Sequence, residues 1–568
     1  MNKTSRKFSK YPYSRIVYNT ILIFLLSTLI IYYINLVKTA GATTFDDAYM
    51  FIRYANNFLD GHGIAWNPDG VQTYGVTSIL YFAITALARS ILPNVDVGAL
   101  LTTLSASIGL LAIGVLAYTC SQFAVSSLQK KSFLLLAIIF TAYFFTSPVY
   151  LFHMASGMDT TLSLLCNAFF IFAVMGWIYQ KNKYTLFLVL SILAGYLTFL
   201  ARPDNIIYLF TLPLLGTIFL CKANKKQRIF HFYGWLFFVL AIDTLIKHIV
   251  FGDPLPLSFY AKTSGYYEGY LGANDWNPIG YLFEFGGFAL PFLVIIIFSL
   301  NKHTLKLFAT FLIPVLLTFV YYFSVLQIMG FEARYYFPAA AYLIVAAFLM
   351  FDRHLESDSS ETKENTSGHK ILRLAVIFLV ISVISQSTIK ATASKIYENW
   401  VNSSARAYPS STEYTMSTTK PLPERGTWSM VKAVANFSET LPNGTIFALS
   451  EYGYVGAKAP NIHIIDLVGL HDPYFAHHGF SASELINRQP DLIWLPHYHY
   501  TKIIASILDT KEFWEQYAYF PGAFDYGIAI RKSSPKYREI YNAVKKSWLE
   551  TYETRGMEDY LATPIFDK

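Results

Sequence analysis

The sequence is short of charge. Only 14% of its 568 residues are Asp, Glu, Lys or Arg, where soluble domains carry about 25%, which excludes an ordinary soluble protein for most of the length. It is also short of cysteine. Cys120, Cys166 and Cys221 all fall in apolar runs, so the polar part of the chain can hold no disulfide framework and carries no redox signature. A glycine-rich phosphate fingerprint is missing as well. Gly61-His62-Gly63 is not G-x-G-x-x-G, and it follows a helical pattern rather than a strand, so it reads as a helix-ending turn. The net charge of +7 comes from short loops between apolar runs, and no basic patch interleaved with exposed aromatics points to nucleic acid.

What the chain has in abundance is apolar surface: 54% hydrophobic and 17% aromatic residues, gathered in runs of bilayer-spanning length, roughly 17 to 25 residues. Windows near 17–37, 98–120, 132–150, 161–179, 184–201, 205–221, 229–251, 285–300, 307–327, 337–351 and 371–389 predict eleven spans. The first follows a basic start but is too long for a signal-peptide core and lacks a cleavage site, so it is expected to be retained. The stretch 79–92 is too short and carries Arg89; it is expected to lie at the interface.

The loops orient the spans. Connections 1–16, 121–131, 180–183, 222–228, 301–306 and 352–373 hold nineteen Lys or Arg. Outside the interfacial stretch, the intervening connections hold five: Lys38, Arg53, Arg202, Lys262 and Arg334. Basic loops favour the cytoplasmic side, which places the N-terminus inside and everything after about 390 outside. The expected fold is therefore an α-helical polytopic membrane protein, with residues 1–389 as transmembrane core and 390–568 as an extracytoplasmic α/β or α+β domain. The apolar runs 445–450, 463–469 and 491–496 read as buried strands, with helical stretches at 424–440 and 536–552. The polar loop 352–370 is expected to be disordered.

The outward loops carry spaced, specific polar residues. The first, 38–78, holds Asp46, Asp47, Arg53 and His62; later ones hold His153 and Asp159, Arg202 and Asp204, Lys262, and Glu332 and Arg334. A carboxylate beside the membrane can take the proton of an acceptor hydroxyl, and cations from other loops can hold a phosphate leaving group. The chemistry that fits is transfer of a sugar from a lipid-linked phosphate. Plainer readings compete: Asp46 as N-cap of a helix over 47–59, Arg202 as an anchor at a span end, and Lys262 and Arg334 as ordinary loop charges. Asp243 and Lys247, four apart, predict a structural ion pair inside a span. His471, His477 and His478 lack the companions that would complete a metal site.

The stretch DDAYMFIRYANNFLDGHGIAWNPDG (46–70) resembles the first outer loop of the AftB-like arabinofuranosyltransferases, membrane glycosyltransferases of the GT-C class. SGMDTTL (156–162), ARPD (201–204), SFYAK (258–262), ARYYFPA (333–339) and HIIDLVGLHDP (463–473) follow in the same order. The resemblance implies a GT-C fold and a polyprenyl-phosphate sugar donor. It makes Asp46 or Asp47 the catalytic aspartate and places Arg202, Lys262 and Arg334 near the lipid phosphate; Arg53 and His153 are further candidates for substrate contact. Residues 72–78 (QTYGVTS) depart from the family pattern by lacking its glutamate, so arabinose is not implied. The expected partners are the donor, a glycan, lipid or protein hydroxyl acceptor and the membrane lipid, with no cofactor assigned. The competing class is a transporter or flippase of a lipid-linked saccharide.

Overall fold

A computed structural model describes residues 12–125, 133–263, 277–325, 327, 330–359, 414–416, 425–497, 500–552 and 556–564. Among them, nine helices are long and apolar enough to cross a membrane: Asn19–Ala40, Val97–Phe123, Thr160–Tyr179, Tyr184–Ala201, Pro203–Leu220, Lys225–Phe251, Ile279–Phe298, Leu305–Tyr322 and Phe331–Glu356. A tenth is broken. Phe133–Thr146 and Pro148–Ala155 meet at 84°, because Ser147 caps the second piece by accepting the Tyr150 N–H and Pro148 fills its first position. The chain is thus a multi-pass membrane protein. The expected span at 371–389 lies outside the described residues.

The chain divides into two compact units. One holds residues 1–43, 102–239 and 276–397; the other holds 44–101, 240–275 and 398–568. This differs from a single boundary near 390, because residues 44–101 group with the C-terminal residues 398–568.

In the first unit, close helix packing depends on small residues. A side chain at Gly176 would collide with the Phe187 ring of the next helix, and such contacts drive helix association in lipid. Polar glue joins three helices: Asn167 donates to Asn205 Oδ1 at 3.1 Å, Asn205 donates to Ser163 Oγ at 2.8 Å, and Tyr342 donates to Asn167 Oδ1 at 2.9 Å. The last helix runs on to Ser359, so residues 352–359 are helical rather than disordered. Asp352 is fully buried there and accepts the Val125 N–H.

In the second unit, β1 (Tyr414–Met416) pairs antiparallel with β7 (Ala562–Pro564). The main sheet has β2 (Ile446–Leu449), β3 (His463–Asp466), β4 (Leu492–Trp494), β5 (Tyr517–Phe520) and β6 (Ile528–Arg531), in the order β3-β2-β4-β6-β5. The first three are parallel, and β6 and β5 run antiparallel to their neighbours. Helices Thr427–Ser438 and Tyr537–Tyr552 match the expected stretches. The short helix Ile79–Ile91 packs on Met50–Leu59 through Phe51–Tyr81 and Phe58–Phe82 ring contacts.

Candidate functional site

The predicted site residues fall into two groups, one in each unit. In the second unit, Asp46 opens a tight turn, Asp46–Tyr49, that leads into the helix Met50–Leu59. The plainer reading of Asp46 as the N-cap of a helix over 47–59 does not hold; the residue before the turn is Phe45, and no side chain caps it. Instead Asp46 is buried, and its two oxygens accept the N–H groups of Gly453 at 2.9 Å and Tyr454 at 2.8 Å. Orphan donors at the start of a helix from the C-terminal domain attract the carboxylate more strongly than its own turn does. The approach is close enough that any side chain at Gly453 would strike the Asp46 carbonyl oxygen. Burial outweighs the two donors and pushes the Asp46 carboxyl up to about 6. Asp47 is only half-buried.

Glu451 joins this pair, and no sequence signal pointed to it. It follows β2, beyond the carboxyl end of a parallel strand, where open α/β sheets place their ligands. Burial first, then the charges of Asp46 and Asp47, push its carboxyl up to about 8. Tyr452 and Tyr500 feel the same acids. A strand-following acid with a glycine two residues on is a visible pattern, but its partners lie some four hundred residues away in sequence.

At the end of β3, Asp466 accepts the N–H groups of Val468 at 2.8 Å and His471 at 2.7 Å, closing the loop of the IDLVGLHDP motif. Burial raises its carboxyl to about 7. His471 stacks on Trp66 at 4.0 Å and meets the Tyr54 hydroxyl through Nδ1 at 3.1 Å. Burial and nearby Arg53 lower its ring to about 3, so it is neutral, and its buried Nε2 has no hydrogen-bond partner among the described residues.

Arg53 was expected to contact substrate. The structure corrects this: it is 1% exposed, and all five of its N–H groups are committed. They go to the carbonyl oxygens of Trp66, Gly456, Ala459 and Ile462 and to Asn67 Oδ1, leaving none for a phosphate. Asn67 in turn pairs with the edge of β3, accepting from Ile464 N at 2.8 Å and donating to its carbonyl at 3.0 Å. Lys262 lies half-buried in the helix Leu257–Thr263. The Asp243–Lys247 pair forms as expected, at 2.6 Å.

The first unit brings Arg202, Arg334 and His153 into one cluster around a residue with a commanding position, Asp159. Arg334 reaches Asp159 Oδ1 at 3.4 Å and Arg202 Nη1 reaches it at 3.9 Å. Arg202 also makes a two-point contact with Asp204, at 3.1 and 2.7 Å, and Tyr322 donates to the same carboxylate at 2.9 Å. The buried Asp159 Oδ2 and Arg202 Nη1 have no hydrogen-bond partner among the described residues. His153 is fully buried and contacts the Glu332 carbonyl through Nε2 at 2.8 Å. That carbonyl belongs to a strained turn: Glu332 and Ala333 have φ of 50° and 58°, a region side chains disfavour. The Glu284 carboxylate accepts the Ala333 N–H at 3.1 Å. Arg334 is thus aimed by a turn that His153 and Glu284 hold. Among the described residues, no group of three or more His, Cys, Asp or Glu is placed to hold a metal ion.

Residues 421–552 match a family described as "Domain of unknown function (DUF8728)". No curated protein matches the chain. Among solved structures, the apo oligosaccharyltransferase of Archaeoglobus fulgidus is similar at 12% identity over 83% of this chain, with a TM-score of 0.44. The chain spans 66% of that protein's length. The oligosaccharyltransferase AglB from the same organism, in complex with an inhibitory peptide and a dolichol-phosphate, is similar at 11% identity over 90% of this chain and 75% of its own, with a TM-score of 0.48. Likenesses of this degree concern shape only.

Proposed function

We propose that this chain is an integral-membrane glycosyltransferase of the GT-C class, moving a sugar from a polyprenyl-phosphate donor to a hydroxyl acceptor on the outer face of the membrane. The observation that carries the assignment of roles is the division of labour between two adjacent acids. Asp46 has both oxygens tied to the Gly453 and Tyr454 N–H groups, so activation of the acceptor falls to half-buried Asp47. The acceptor oxygen attacks the anomeric carbon, its proton passes to the Asp47 carboxylate, and the bond from that carbon to the phosphate oxygen breaks. Polyprenyl phosphate leaves with the electron pair. Glu451 holds its proton at neutral pH and so limits the negative charge beside Asp47. Within the first unit, Arg202 and Arg334 are cations suited to a phosphate; Asp159 keeps the two guanidinium groups in place, and Arg202 Nη1 makes no hydrogen bond among the described residues.

The test is sugar transfer from a radiolabelled polyprenyl-phosphate sugar in membranes carrying Asp47→Asn. Loss of transfer in a folded protein is expected. Full transfer by that variant would remove Asp47 as base. Label that crosses the bilayer without leaving its lipid would point instead to a flippase.

A further inference from the structure

Away from the acids and arginines above, a cavity of about 610 Å³ opens in the first unit, lined by Tyr184, Cys221, Lys222, Asn224, Gln227 and Arg228 among others. It lies where the spans Thr160–Tyr179 and Pro203–Leu220 end and Tyr184–Ala201 and Lys225–Phe251 begin. That is the level at which a bilayer exchanges acyl chains for headgroups. The two connections beside it, 180–183 and 222–228, contain Lys181, Lys183, Lys222, Lys225, Lys226 and Arg228 and no acid.

Arg228 is the built part of the site. Its Nη1 donates to the Trp177 carbonyl, and its guanidinium lies 4.9 Å from the Tyr184 ring centre. These contacts fix the plane of the group, while its Nε and Nη2 have no partner among the described residues. A planar guanidinium held flat with donors to spare is suited to a phosphate. Close by, Leu186 and Phe230 present large apolar side chains outward, a surface suited to acyl chains rather than to a soluble anion.

We propose that this cavity binds the phosphate headgroup of an anionic membrane lipid, with Arg228 and Lys222 as its cationic contacts. Basic pockets between spans recognise such headgroups. The site is separate from the proposed reaction and does not depend on it. Its place in the loops expected to face inward assigns it to the inner leaflet.

The test uses the full chain in detergent, with bound lipid counted by native mass spectrometry after exposure to phosphatidylglycerol or phosphatidylcholine vesicles. The wild-type chain is expected to retain phosphatidylglycerol in preference. R228Q with K222Q should lower that preference by roughly thirtyfold, as expected for two lost cations near a headgroup. K302Q with K306Q, in another basic loop, should leave it unchanged. No preference in the wild type, an unchanged preference in R228Q/K222Q, or an equal loss in K302Q/K306Q would each overturn the proposal. Displacement of the lipid by millimolar inorganic phosphate alone would overturn the lipid assignment. If R228Q fails to fold, exposed K222Q by itself should still reduce retention, and unchanged retention there counts against the site.

Discussion

Asp46 and Tyr454 are joined at 2.8 Å by a hydrogen bond from the Tyr454 N–H to the carboxylate, while the neighbouring Gly453 N–H holds the other oxygen. This bond ties the loop after the first span to the C-terminal domain within one compact unit. It also separates two acids that look interchangeable in sequence. Asp46→Ala leaves two buried donors unpaired and should destabilise the protein by about 2–4 kcal/mol. Asp47→Asn keeps a side chain of the same size, should cost less stability than Asp46→Ala and should abolish transfer. Thermal unfolding and the transfer assay, run on both variants, separate the roles; equal stability loss in the two would contradict this division.

Stability should depend on pH through the buried acids. Asp46, Asp466 and Glu451 are raised to about 6, 7 and 8, so each binds its proton more tightly folded than unfolded. The stability they contribute is complete below their unfolded values, near pH 4, and is lost as pH rises through about 6 to 8. Glu451→Gln keeps a neutral group at all pH values. It should therefore flatten the upper part of this decline, measured as melting temperature from pH 5 to 9; an unchanged slope would show that Glu451 is not perturbed.

Arg53→Lys tests the strut. A lysine offers three donors where five are used, and leaves buried carbonyls and Asn67 unpaired. A loss of about 3 kcal/mol is expected, read as the midpoint of chemical unfolding. A variant as stable as the parent would return Arg53 to the list of substrate contacts.

The turn before Arg334 predicts a separation of stability from affinity. Ala333→Gly relieves a positive φ of 58° and should stabilise the fold by up to about 1 kcal/mol. Glu284→Ala should raise the KM for the donor more than it lowers kcat, because Arg334 loses its support. Glu284→Gln retains an acceptor for the Ala333 N–H and should restore most of the KM. If Gln rescues nothing, Glu284 does not act through that hydrogen bond.

The Asp243–Lys247 pair, at 2.6 Å with both side chains under 8% exposed, should behave as a buried ion pair. Lys247→Met strands the carboxylate and should cost about 3 kcal/mol, whereas Asp243→Leu with Lys247→Met should return close to parental stability. A double variant as weak as the single would mean that the charges serve something other than each other.

Much of this architecture is legible in the sequence because its cause is local. A run of twenty apolar residues has one solution in a bilayer, so the spans follow from composition. The i, i+4 spacing of Asp243 and Lys247 foretells their contact, and the short strands of the C-terminal domain announce themselves as apolar runs between turns. Hydropathy misleads where a local cap or a tertiary partner intervenes. The break at Ser147–Pro148 divides a run that hydropathy alone reads as one span, and residues 352–359 extend a helix because Asp352 finds the Val125 N–H. The roles of the polar residues in the two candidate clusters were decided by the tertiary structure. Asp46 became an anchor, Arg53 a strut, Asn67 an edge-strand partner and Glu451 a neighbour of the acids, each through groups far away in sequence. The reason is physical: a buried charge takes whichever donors or acceptors the fold brings within 3 Å, and spacing along the chain does not encode which those will be.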